Sequence, residues 1–170
     1  MRYRRFGRTG LDVSEVSLGG AYLGGNDPER AEENAREIIS RAAELGCNYM
    51  DTAPLYGESQ RLIGQALSAV DASFHIATKV GFVPEGFDYK RDSVLRSLEQ
   101  SLELLGVEKL AAAQIHEVNL AGEERILEPG GTLEGLREAQ KQGWCDFIGI
   151  TGRAIPLLAQ LAAKIGRAHV

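Results

Sequence analysis

A parallel α/β barrel of the (β/α)8 TIM-barrel type, with only its first five βα units present and a small hairpin ahead of them, is the fold this sequence predicts. Three observations carry the prediction. Short apolar runs alternate five times with helical segments, the pattern of a parallel sheet with helical crossovers. The first strand-to-helix junction reads Gly19-Gly20-Ala21-Tyr22-Leu23-Gly24-Gly25, which lacks the GxGxxG of a doubly wound dinucleotide fold and does not run straight into a helix. Polar groups close several different strands, as Asp51, Lys79 and His116 do, and a barrel gathers such groups at one mouth.

Taken in order, Tyr3 to Val13 is short, basic and broken by Gly7 and Gly10, which suits a hairpin. Val16–Gly20 is the first strand. Pro28–Leu45 reads as a helix, because Ala31, Ala35, Ile38, Ile39 and Ala42 recur at threes and fours. Asp27 before Pro28 is its N-cap and Gly46 its stop. Cys47–Asp51 is strand two, and Ser59–Val70 is helix two with a stripe of Leu62, Ile63, Ala66 and Leu67. Phe74–Lys79 is strand three, and Asp92–Leu105 is helix three with Val94, Leu95, Leu98, Leu102 and Leu105 on one face. Ala111–His116, Thr132–Gln142, Phe147–Thr151 and Ile155–Lys164 supply strand four, helix four, strand five and the start of helix five.

A full barrel needs about 250 residues. With 170 residues, three units are missing and strands one and five are open edges. Self-association through those edges is expected, including a dimer of two half-barrels. Residues 1–164 make up the partial barrel. The final Ile165-Gly166-Arg167-Ala168-His169-Val170 follows the helical pattern without a cap and resembles the translation of a sequencing-library adapter. Residues 165–170 are therefore expected to be a non-native tail on a protein that is longer in nature.

Lys and Arg number 19 against 24 Asp and Glu, a net charge of −5 with the signs interspersed. That argues against a nucleic-acid or anionic-membrane partner. Arg2, Arg4, Arg5 and Arg8 read as a solvated N-terminal surface. Cys47 and Cys145 show no metal-ligand spacing and read as buried thiols. No signal core and no run of roughly 20 apolar residues appears, so a cytoplasmic protein is expected.

Asp51, Tyr56, Lys79 and His116 are the candidate catalytic residues. Alone, each has a plain structural reading: a helix cap, a packed loop ring, a solvated charge and a core histidine. Their joint placement on successive units points to chemistry. Delivering hydride to a carbonyl requires a proton donor for the developing alkoxide, and oxidation requires the same group as base. A phenol's ordinary pKa near 10 is high for that task. A neighbouring ammonium favours the phenolate, a carboxylate keeps the ammonium charged and aimed, and an imidazole holds the substrate oxygen.

Arg5-Phe6-Gly7-Arg8-Thr9-Gly10-Leu11-Asp12-Val13-Ser14 and Ser17-Leu18-Gly19-Gly20 resemble the opening of the aldo-keto reductases. Asp51-Thr52-Ala53-Pro54-Leu55-Tyr56-Gly57-Glu58-Ser59 resembles that family's main signature. Ile76-Ala77-Thr78-Lys79, Gln114-Ile115-His116 and Phe147-Ile148-Gly149-Ile150-Thr151-Gly152 continue the match in order. The resemblance implies a TIM barrel, an NADP or NAD cofactor and reversible carbonyl reduction of a small-molecule carbonyl or sugar. It implies Tyr56 as general acid/base, Lys79 and Asp51 as its tuning pair, and His116 as the group orienting the carbonyl. It also implies Gly20, Asp51 and Thr151 at the cofactor. Thr151 stands where the family has a serine, Gly152 where it has an asparagine, and Glu117 where many members carry Asp, Trp or Arg. Gln60 replaces a common Glu and is read as outside the chemistry. Two other functions compete: an NAD-dependent aldose 1-dehydrogenase, and a non-catalytic nicotinamide-binding regulatory subunit. The family's cofactor grip comes largely from loops after strands seven and eight, so the chain alone is expected to be inactive.

Overall fold

The computed structural model describes residues 1–25 and 27–165. Tyr3–Arg5 (β1) and Asp12–Ser14 (β2) pair antiparallel as the expected hairpin. Glu15 holds both Arg2 and Arg4 on the exposed surface, at 2.7 and 2.5 Å. In chain order there follow Leu18–Gly19 (β3), Ala31–Glu44 (α1), Tyr49–Asp51 (β4), Ser59–Ala69 (α2) and His75–Val80 (β5). Phe82–Val83 (β6) and Gly86–Phe87 (β7) form a second antiparallel hairpin before Arg91–Leu105 (α3) and Leu110–Ile115 (β8). Val118–Leu127 (α4), Thr132–Lys141 (α5), Cys145–Ile150 (β9) and Ile155–Ile165 (α6) complete the described chain.

Strands β3, β4, β5, β8 and β9 lie side by side in that order, all parallel, with β3 and β9 as the outer strands. Five βα units of a barrel are therefore present, and both expected open edges exist. Several bounds differ from the sequence reading. The first helix opens with a 3-10 turn over Pro28–Arg30, where the Asp27 carboxylate accepts from the Glu29 amide, so α1 begins at Ala31. Strand four closes at Ile115 rather than His116, and strand five starts two residues early, at Cys145. α6 continues through Ile165, one residue into the segment expected to be a tail; residues 166–170 lie outside the described residues. Helix α4 was not anticipated, because Gly122, at φ 74°, interrupts its periodicity.

The core forms where helix stripes meet the sheet. Ile39 of α1, Ile63 of α2, Leu98 of α3, Leu136 of α5 and Leu161 of α6 are fully buried against strand residues such as Met50, Val80 and Leu110. Burying each such side chain contributes roughly 1.5–3 kcal/mol. Cys47 and Cys145 are free and buried, and burial pushes the Cys145 thiol up to about 11. No helix among the described residues is long and apolar enough to cross a membrane.

Helix α2 rests backbone to backbone on the end of α3. A Cβ built on Gly64 would stand 2.1 Å from the Leu104 carbonyl oxygen. Gly64→Ala is expected to cost about 3 kcal/mol in forced displacement, against about 1 kcal/mol of improved helix propensity. The net loss should lower the urea midpoint at constant m; an unmoved midpoint would contradict this packing.

Candidate active site

Register brings the candidate residues together. Asp51 pairs with Ala77, and Lys79 lies two residues further along the same strand. Lys79 pairs with Gln114, and His116 lies two residues beyond that. Side chains alternate across a strand, so steps of two keep Asp51, Lys79 and His116 on one face. Ile115 pairs with Ile150, which puts Thr151 level with His116. Tyr56 comes from the 3-10 turn Pro54–Tyr56 just beyond β4.

The Lys79 ammonium is buried, with 6% of its side chain exposed, against 34% for Asp51. It donates to Asp51 Oδ2 at 2.6 Å and to the Thr52 carbonyl at 3.0 Å. It also stands 4.7 Å from the centroid of the Tyr56 ring. The Tyr56 ring meets the His116 imidazole edge-on, with centroids 5.8 Å apart. All four predicted catalytic residues thus share one cluster.

His116 is 6% exposed, and its Nδ1 is buried without a hydrogen-bond partner among the described residues. Burial, then the Lys79 charge, lowers its pKa below the ordinary histidine value. The imidazole is therefore neutral at pH 7. Because the folded value lies below the unfolded one, its contribution to stability is complete above about pH 6.5 and declines as pH falls toward the folded value. An NMR titration should place the His116 midpoint below 6.5; a midpoint at or above 6.5 would contradict the neutral assignment.

Supporting groups appear that sequence reasoning did not find. The Tyr89 hydroxyl donates to the carbonyls of His116, at 2.9 Å, and Glu117, at 3.2 Å. Burial first, and Glu117 second, push that phenol up to about 12, so it stays a donor. Glu117 adopts φ 51°, a left-handed conformation uncommon outside glycine. The Phe87 ring stacks on Tyr89 at 5.9 Å and meets His116 edge-on at 6.4 Å. No local pattern signals the contacts to His116 and Glu117, which join residues 27 to 29 positions apart.

Two of the expected cofactor residues have structural partners of their own. The Thr151 hydroxyl donates to the Ile115 carbonyl at 3.1 Å and accepts from the Glu117 amide at 3.3 Å. The Gly20 amide donates to the Asp51 carbonyl at 2.7 Å. A Cβ on Gly20 would meet Ser59 Oγ at 2.6 Å and the Asp51 carbonyl oxygen at 3.1 Å, so packing disfavours a larger residue there. Gln60 reaches Thr78 and Ser101 rather than the catalytic cluster.

A half-built (β/α)8 barrel whose mouth holds a phenol, an ammonium, a carboxylate and a neutral imidazole is the class that fold and site define. The chain belongs to the aldo/keto reductase family, whose model matches residues 15–169. It is 31% identical to L-galactose dehydrogenase of Arabidopsis thaliana, over 95% of this chain and 52% of that protein. It is 36% identical to D-arabinose 1-dehydrogenase of Saccharomyces cerevisiae, over 88% of this chain and 46% of that protein. Among solved structures it is similar to the holo form of aldo-keto reductase AKR11C1 from Bacillus halodurans. That match has a TM-score of 0.82 and 27% identity, over 98% of this chain and 55% of the other. The chain spans about half the length of the curated relatives it matches.

Proposed function

We propose that this chain supplies the catalytic half of an oxidoreductase that moves hydride between a nicotinamide cofactor and a carbonyl or alcohol. The observation that carries this reading is the joint placement of Lys79, Asp51, Tyr56 and His116 within one cluster. These four groups can hold and move a proton, but none of them can release hydride. The donor set therefore fits a hydride-carrying cofactor, and the unpartnered His116 Nδ1 marks a mouth whose polar groups are not all satisfied by the chain itself. When bound, NADPH or NADH would supply the hydride, and NADP or NAD would accept it in the reverse direction; Gly20, Asp51 and Thr151 are the residues proposed to lie against the cofactor.

Tyr56 gives its proton to the carbonyl oxygen in reduction and takes one from the alcohol in oxidation. The Lys79 ammonium beside the ring stabilises the negative charge that develops on the phenol oxygen, and Asp51 with the Thr52 carbonyl fixes that ammonium in place. Neutral His116 with its proton on Nε2 donates to the substrate oxygen and leaves Nδ1 as a bare acceptor.

A sugar is the substrate class we favour, because two similar curated relatives are sugar dehydrogenases by name. The test assays the full-length protein and the 170-residue chain for NADPH or NADH oxidation with aldehydes, and for NAD or NADP reduction with aldoses. Turnover by the full-length protein and almost none by the chain alone is expected. Absence of nicotinamide-dependent turnover in both would overturn the reading, and micromolar NADPH binding by the chain alone would overturn its dependence on the remaining units.

A further inference from the structure

Residues of α2, α3 and the β6–β7 hairpin line a half-open cavity of about 840 Å³. That volume suits a small ligand. Phe82, Val83 and Leu104 give its walls apolar surface, while Gln60, Ser97 and Gln100 bring hydrogen-bonding groups. The β7 residue Phe87 belongs to the same lining and also meets the His116 ring at 6.4 Å, so the hairpin separates this cavity from the catalytic cluster.

One buried polar group in the lining lacks a protein partner, and a second residue offers an available acceptor. The Ser97 hydroxyl, on a residue 7% exposed, has no hydrogen bond among the described residues. Gln60, 3% exposed, commits both amide hydrogens, to Thr78 Oγ1 at 2.8 Å and Ser101 Oγ at 2.9 Å. Its carbonyl oxygen is left as an acceptor without a partner among the described residues. Buried polar groups are ordinarily satisfied, so the open Ser97 hydroxyl, in one cavity with the available Gln60 carbonyl, points to something that binds there.

Charge narrows the class of ligand. Arg61 donates to Glu58 at 2.6 Å, and Ser93 donates to Asp88 at 2.5 Å while Arg96 donates to Ser93 at 3.0 Å. Glu85 sits at the exposed hairpin tip, so the lining carries no surplus positive charge for an anion. A molecule that hydrogen-bonds in both directions and carries no charge fits these walls, with its C–H face against the Phe82 ring.

We propose that this cavity is a second ligand site, separate from the Tyr56 mouth, which takes a neutral polyhydroxylated molecule through Ser97, Gln60 and Gln100. Occupancy presses on Phe87 and on Pro54, the residue that opens the turn carrying Tyr56. The proposal does not rest on the catalytic reading.

The test uses myo-inositol, which has no carbonyl to reduce, titrated into the isotope-labelled 170-residue chain without cofactor. Saturable amide shifts centred on residues 82–87 and 93–101 are expected, and Tyr56→Phe should leave them unchanged. Ser97→Ala and, independently, the exposed-position variant Gln100→Ala should each weaken binding about fivefold, the worth of one hydrogen bond. Ser97→Ala should not lower the melting temperature, since it removes an unsatisfied buried hydroxyl; a purely structural serine would. No saturable shifts, shifts centred on Tyr56, Lys79 and His116, or unchanged affinity in both variants would overturn the proposal.

Discussion

Tyr56→Phe is expected to lower kcat for carbonyl reduction by the full-length protein about 10²–10⁴-fold, the usual contribution of a positioned general acid. The substitution is unusually clean at this position. The ring's stacking against the Lys79 ammonium, at 4.7 Å, and its edge contact with His116, at 5.8 Å, do not involve the hydroxyl. The hydroxyl makes no hydrogen bond with the described residues, so removing it orphans no partner. Loss of the proton donor should therefore appear in kcat, with KM and the melting temperature close to those of the parent. A kcat within about fivefold of the parent would remove Tyr56 from the acid/base role. A large fall in melting temperature would show instead that the hydroxyl supports the fold.

The strand–helix rhythm was legible because it is local: period-two and period-3.6 patterns in Met50, Ile63 and Leu98 place each on a buried face within a few residues of sequence. The catalytic cluster was legible for a different reason. Asp51, Lys79 and His116 each close a strand, and a parallel sheet of constant stagger sends residues at such positions to one face. What stayed hidden depends on pairings across long separations. The strands Phe82–Val83 and Gly86–Phe87 are two residues each, too short to show any period. Tyr89 looks like any loop aromatic until β8 delivers the His116 carbonyl to its hydroxyl. Thr52 contributes through its carbonyl, a group every residue has, so no side-chain pattern marks it as the second anchor of Lys79. Gly20 carries a second constraint that the sequence did not show: a Cβ there would stand 2.6 Å from Ser59 Oγ, a neighbour 39 positions away.

Asp51→Ala should be much more destabilising than Lys79→Met, although the two residues form one ion pair. The reason is unequal burial: 6% of the Lys79 side chain is exposed, against 34% for Asp51. Removing the carboxylate strands an ammonium inside the protein with only the Thr52 carbonyl, at 3.0 Å, and the Tyr56 ring to face. Breaking one side of a buried pair costs about 3–5 kcal/mol; partial access of water at Asp51 argues for the lower end, about 3 kcal/mol. For a chain of this size that corresponds to a fall in melting temperature of roughly 6–12 °C. Lys79→Met keeps the buried aliphatic stem and leaves behind a carboxylate that water can still reach, so its cost should stay within about 1 kcal/mol. Both variants should lose turnover in the full-length protein, since either one leaves the phenol oxygen without an aimed cation. Thermal melts of the two variants separate the effects: equal losses would mean that Lys79 is hydrated despite its position, and the electrostatic support proposed for Tyr56 would then be weaker than this geometry requires.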